Sequence, residues 1–323
     1  MKRLLLCACS AAVVGLAAHA EVRIAAGPSL AVSQLDAVNV ALAGRGVHYR
    51  VAKMDYITAP GSGHFGATVF SKDVGNRQLD SRFVPDLLVY ASSNPGVLSY
   101  AIDTAEGVAH GGLSGADTSG AISRAMGTWA AQTCAPIPMG QVAPLPPGLD
   151  LGIVQNILGF GGAPFYLADV THAGWLPAAF FDAIETNGSQ FILGVTYTFI
   201  WEDADGNPVD TNGDHKIDAA LAETYYNNAF QWTNQAVDFT SPLVDVETIA
   251  LHESGHALGQ DHFGQISLDG KGTQILQQQH VLDVSHLHFS PRAVMNAIYW
   301  DTQRAPLGTD QAAHCAIWGT WGQ

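Results

Sequence analysis

Between Leu251 and His262 the chain reads Leu-His-Glu-Ser-Gly-His-Ala-Leu-Gly-Gln-Asp-His. His252 and His256 are four apart in a segment, residues 242–258, that the pattern predicts to be helical. Ser241 can cap that helix and Pro242 fits its first turn. At about 100° per residue the two imidazoles lie about 40° apart around the axis, one turn above the other. So placed, they reach one tetrahedral Zn²⁺. Glu253 sits beside that face, within reach of a metal-bound water but poorly placed to be a ligand. Gly259 can take the left-handed conformation that ends a helix and reverses the chain, which brings His262 back as a third ligand. Three neutral ligands leave the ion's charge largely uncompensated and one coordination position open. That combination acidifies a bound water, and Glu253 can accept its proton.

The rest of the composition narrows the setting. Hydrophobic residues make up 47 % of the 323 and charged residues 13 %, enough apolar material for a real core. Acidic residues outnumber basic ones, 29 to 14, and such a surface repels phosphate backbones and anionic lipid, which argues against nucleic acid as a partner. Lys2 and Arg3, the apolar stretch 4–18 and Ala18-His19-Ala20 have the form of a signal peptide cleaved after Ala20. A secreted or periplasmic location follows, and no later apolar run is long enough for membrane insertion. Cys7 and Cys9 leave with the signal. Two cysteines, Cys134 and Cys315, remain, and in an exported chain they favour one disulfide.

Along the chain, residues 97–102, 165–171, 191–201 and 222–227 have strand character. Residues 119–131 read as a helix with Ile122, Ala125, Met126 and Trp129 on one face, and residues 309–318 as a closing helix. Residues 111–120 and 136–147 read as loops, residues 263–293 as irregular, and residues 21–83 are the least readable. Strands and helices mix without strict alternation, which predicts an α+β fold.

The spacing His-Glu-x-x-His-x-x-Gly-x-x-His resembles the signature of metzincin zinc endopeptidases. That family also has a downstream methionine turn, and residues 293–299, Ala-Val-Met-Asn-Ala-Ile-Tyr, are similar to it. The likeness is greatest to the matrixin branch, where a Tyr four positions after the Met helps line the substrate pocket; Tyr299 matches that position. Ala297 replaces the usual Pro and Phe263 the usual Ser. The resemblance implies a twisted mixed sheet with an active-site helix and a C-terminal helix, with Met295 buried beneath the histidines. It implies a first helix at 121–129, a substrate-lining edge strand at 193–196 and a further strand at 223–227. It covers residues 95–323 and divides the chain into a signal peptide, a segment 21–83 that is a candidate prosegment or extension, and a catalytic domain 84–323. Residues 21–83 contain no cysteine, so the matrixin cysteine-switch latency device is absent. Astacin-type members link the region of the first helix to the C-terminal region, which implies a Cys134–Cys315 bridge.

An acidic loop, residues 202–218, interrupts this plan. Asp210, Asn212, Asp214, the Lys216 carbonyl and Asp218 resemble the front of an EF-hand or dockerin-type calcium loop. His215 stands where Gly is expected and Leu221 where a bidentate Glu is expected, leaving Asp203, Asp205 or Glu223 to complete a Ca²⁺ shell. His280, His286 and His288 are loop residues near the cleft, with a second metal as the alternative; His110 and His172 have no partner spacing. Together these features predict a secreted, monomeric zinc endopeptidase acting on protein or peptide substrates, with Glu253 as general base and Tyr299 lining the pocket or stabilising the oxyanion. The alternative is a catalytically silent, calcium-stabilised extracellular binding or surface protein on the same fold.

Overall fold

A computed structural model describes residues 29–71, 81–103, 113–143, 145–146, 148–238, 240–268 and 287–321. The expected signal peptide and His110, His280 and His286 lie outside the described residues. Helix α1 (Ser29–Gly44) carries Ala31, Leu35, Val38 and Leu42 at helical spacing, all buried. Strand β1 (Tyr49–Thr58) follows and is buried at all ten positions, then β2 (Ala67–Phe70) and the short β3 (Ser81–Arg82). Next come β4 (Leu98–Ile102), α2 (Gly115–Ala130), β5 (Met139–Gln141), α3 (Ile153–Leu158), β6 (Val170–Leu176) and α4 (Ala178–Asp182). The chain continues with β7 (Ile192–Trp201), β8 (Ile217–Asn227), β9 (Trp232–Thr233), β10 (Val244–Asp245), α5 (Val246–Ala257), β11 (Gln265–Leu268), β12 (Leu287–Ser290) and α6 (Gly308–Trp318).

The architecture is α+β, as the mixed pattern predicts. One mixed sheet runs in the order β2-β1-β7-β8-β6-β4-β5, with β3 beside the start of β8. Strands β5, β4, β6 and β8 pair parallel to one another; the β8–β7, β7–β1 and β1–β2 pairs are antiparallel. Helices cover both faces. Residues from α2, α5 and α6 pack on one side with Ile57, Met295 and Tyr299. Those of α1, α3 and α4 pack on the other with Val51, Met54, Tyr56 and Tyr197. Among the described residues no helix is long and apolar enough to cross a membrane.

Residues on both sides of position 83 share one sheet: β1 pairs with β7 from Tyr49↔Trp201 to Thr58↔Ile192, and α1 packs into the same core. Two expectations change here. Residues 193–196 do not form an edge strand, because β1 occupies the outer side of β7 and β2 is the edge. Helix α5 begins at Val246 rather than at 242. Val244 and Asp245 first pair with Trp232 and Thr233, so the cap is Asp245, whose carboxylate accepts the Thr248 N–H at 3.0 Å.

Smaller shifts have local causes. Helix α2 starts at Gly115, inside the expected loop, because Ser114 and Asp117 form a capping box. Strand β6 starts at Val170 rather than 165, because residues 167–169 bend, with the Asp169 carboxylate accepting the amides of Val89 and Ser99. The 136–147 loop contains β5, and β11 and β12 pair antiparallel within residues 263–293. Cys134, just past α2, and Cys315 in α6 form a disulfide with Cα atoms 5.6 Å apart. It closes a long loop and ties the two helices that flank α5.

Candidate metal centre

Helix α5 is the buried axis of the molecule; all twelve of its residues are buried. Trp129 of α2 donates its indole N–H to the Leu251 carbonyl at 2.8 Å, fixing the helix just before the first histidine. Helix α5 ends as the spacing predicts. Gly259 adopts φ +86°, and Gln260 N–H reaches back to the Gly255 carbonyl at 2.9 Å.

The turn delivers His262 to the other two histidines. His252 Nδ1–H donates to the Val294 carbonyl at 2.7 Å and His256 Nδ1–H to the Gln260 carbonyl at 2.8 Å. Both rings are therefore held with Nε2 free of protons and aimed inward. His256 Nε2 lies 3.0 Å from His252 Nε2 and 3.2 Å from His262 Nε2. Nitrogens bound tetrahedrally at about 2.0–2.1 Å stand roughly 3.3 Å apart, so the spacing suits one ion. Among the described residues these three form the one group of three or more His, Cys, Asp or Glu that could hold a metal. Burial keeps the imidazoles neutral: it pushes His252 down to about 4, and burial plus mutual repulsion pushes His256 and His262 well below the usual histidine range. Neutral imidazoles are the ligand form.

Glu253 is fully buried beside them. Thr196 Oγ1 donates to its Oε2 at 2.7 Å, and Oε1 has no hydrogen-bond partner. Burial raises its pKa well above the carboxylate range, opposed in part by Thr196 and by the nearby Ile57 N–H. Gly194 on β7 makes room for it: a Cβ there would stand 2.9 Å from Oε1. An orphaned carboxylate oxygen next to three convergent nitrogens is the donor set that a metal ion with an open position and a bound water would complete.

Met295 lies beneath the helix, fully buried, with its sulfur against Gly255. A Cβ at Gly255 would stand 2.4 Å from that sulfur, far inside van der Waals contact. Asp310 of α6 accepts the amides of Val294, Met295 and Leu307 at 2.9, 3.1 and 2.8 Å, so it fixes the methionine turn and, through the Val294 carbonyl, the His252 ring. Tyr299 is buried, but its hydroxyl accepts the Asp245 N–H at 3.2 Å, at the far end of α5 from His256. That contact ties its hydroxyl to the start of α5.

Strand β1 supplies residues that the sequence did not mark. Lys53 Nζ is 2.5 Å from Asp261 Oδ1 and 3.3 Å from Asp55 Oδ2, and Asp55 Oδ2 is 3.8 Å from His256 Nδ1. Burial works against the Lys53 ammonium, but the two carboxylates outweigh it and its pKa is raised.

The acidic loop is organised around backbone amides. Asp210 accepts from Gly213, Asp214 and His215; Asp214 Oδ1 accepts from Lys216 and Asn212 Oδ1 from Asp214; Asp218 accepts from Thr211. His215 takes φ +66°, the conformation expected of a Gly at that position. Arg82 pairs with Asp214 Oδ2 at 3.0 Å. Asp203 holds the amides of Asp205 and Asn207. Glu223 cannot join a calcium shell: it is buried, with both oxygens accepting amides of α3 and the Tyr225 hydroxyl. His288 is exposed, and His172 is a buried core residue bonded to the Tyr226 hydroxyl at 2.8 Å. No protein-family model matches the chain, and a search of curated proteins likewise finds no match.

Proposed function

We propose that the chain is an exported zinc-dependent endopeptidase of metzincin type, described here in a closed form. The observation that carries this reading is the convergence of three neutral Nε2 atoms beside a carboxylate with one unpartnered oxygen. His252, His256 and His262 would hold the ion, which when bound polarises a peptide carbonyl and acidifies a water. Glu253 would take that water's proton on Oε1 and pass it to the leaving amine, with Thr196 holding Oε2. Met295, Asp310 and the Val294 carbonyl keep the rings in place.

The closed form follows from β1. Its backbone fills the outer side of β7 beside Glu253. Its last residue, Thr58, pairs in parallel with Ile298, and Tyr299 N–H donates to the Thr58 carbonyl at 2.9 Å. A peptide reaches Glu253 only when β1 leaves β7, so residues 29–71 act as the prosegment of this reading. The same burial favours the second reading, a silent extracellular binding protein. Two measurements decide between them: metal analysis of the purified chain, and cleavage of a peptide library by intact and protease-nicked protein, with and without chelator. One zinc per chain and chelator-sensitive cleavage after nicking are the expected results. Zinc without cleavage in either state leaves the binding protein.

Calcium remains part of the proposal for residues 203–218. Asp203, Asp205, Asp210, Asp214 and Asp218 repel one another, and one Ca²⁺ would offset that repulsion at the join of β7 and β8. Melting should rise with calcium, by about 2.7 kcal/mol of stability at a hundredfold excess over the dissociation constant. Asp210→Ala with Asp214→Ala should abolish the rise and leave zinc content intact. Identical melting of the parent with and without calcium reduces the loop to a solvated turn.

A further inference from the structure

Alternate residues of β1 serve opposite layers of the protein. Met54 and Tyr56 join the core under α1. Lys53, Asp55 and Ile57 face α5: Ile57 enters the core around that helix, while Lys53 and Asp55 reach the turn and ring of the histidine cluster. Lys53 is only 2 % exposed. A buried ammonium needs a carboxylate, and Asp55, two residues away on the same strand face, would serve. Yet the shorter contact goes to Asp261, whose side chain is 57 % exposed and whose neighbours in the chain are Gln260, the acceptor for His256, and His262. The pair therefore joins two elements that nothing in local structure requires to be joined: the occluding strand and the turn that carries the third histidine.

We propose that Lys53 is a latch, its ammonium shared between Asp55 and Asp261 so that β1 is fastened to the metal-binding turn and peptide is kept from Glu253. The proposal rests on the closed-form reading above. Regulation of the site then depends on whatever separates this ion pair, because the backbone ladder alone places no charge across the seam between β1 and residues 259–262.

Amide hydrogen exchange on the full chain tests the latch without relying on activity. Asp261→Asn and Asp261→Lys change an exposed side chain, so the fold should survive both. Amides of β1 paired with β7 should exchange about tenfold faster in Asp261→Asn, the scale of one lost charge-assisted hydrogen bond, and faster still in Asp261→Lys. Amides between β6 and β8 should be unaffected. With Lys53→Met already present, Asp261→Asn should add nothing. Faster exchange accompanied by new chelator-sensitive peptide cleavage supports both the latch and the endopeptidase. Faster exchange with no cleavage, even after nicking, supports the latch and removes the endopeptidase. Unchanged exchange in both Asp261 variants overturns the latch, as does loss of zinc with unchanged exchange, which would make the pair a brace for His262.

Discussion

With Glu253 replaced by Gln, the chain is expected to keep its zinc and lose peptide cleavage by at least about 10²-fold, the usual contribution of a positioned general base. Gln has the same shape, so the space left by Gly194 still accommodates it and Thr196 can still donate to its side-chain oxygen. What disappears is the ability to take a proton. The carboxylate is also expensive to bury, since burial alone drives its pKa far up, so the melting temperature of the variant should not fall. Metal content, melting and turnover measured on one preparation separate a chemical loss from a folding loss. Full turnover in the Gln variant would end the proposed mechanism.

Asp310→Ala should have the largest effect on stability of any change outside the histidines. Three buried or half-buried amides, those of Val294, Met295 and Leu307, would lose their acceptor together. At about 1–3 kcal/mol for each stranded donor, and with partial relaxation at the Leu307 end, a loss of about 3–5 kcal/mol is expected in chemical denaturation. The Val294 carbonyl orients His252, so zinc affinity should fall about 10–100-fold as well, the usual result of losing support behind a ligand. A variant with weakened folding but unchanged zinc affinity would show that the methionine turn and the ligand ring are independent.

The histidine cluster was legible because its information is local. One helical turn plus one left-handed glycine places three rings, and the structure follows that geometry closely. Met295 was expected through the family resemblance, and the Cys134–Cys315 bridge through the resemblance together with two cysteines left in an exported chain. Strand β1 was not. A strand reads from alternation or from an apolar run, and Tyr49–Thr58 offers Arg50, Lys53 and Asp55 at positions that turn out to be buried. Their burial depends on partners far away in sequence: Glu202 for Arg50, at 2.5 Å, and Asp261 for Lys53. The edge-strand expectation for residues 193–196 failed through that one omission. Thr196, Gly194 and Asp310 were invisible on their own because each acts only through a neighbour brought from another part of the fold. Tyr299 was noticed through the family resemblance, and the structure adds that its hydroxyl is engaged by the Asp245 amide.

The order in which a ribosome delivers this chain sets a timetable for the sheet. Strand β1 emerges early, whereas the strand it must pair with arrives on the order of 140 residues later, one of the longest sequence separations in the fold. Until then its backbone groups have only the short β2 for company, and α1 has no finished layer to rest on. The sheet therefore cannot zip at its middle until β7 and β8, residues 192–227, have been made. Until then the unpaired strand runs the risk of self-association. The strand that lies beside the histidine site in the finished protein is thus one that must wait for its partner until residue 201 has been made.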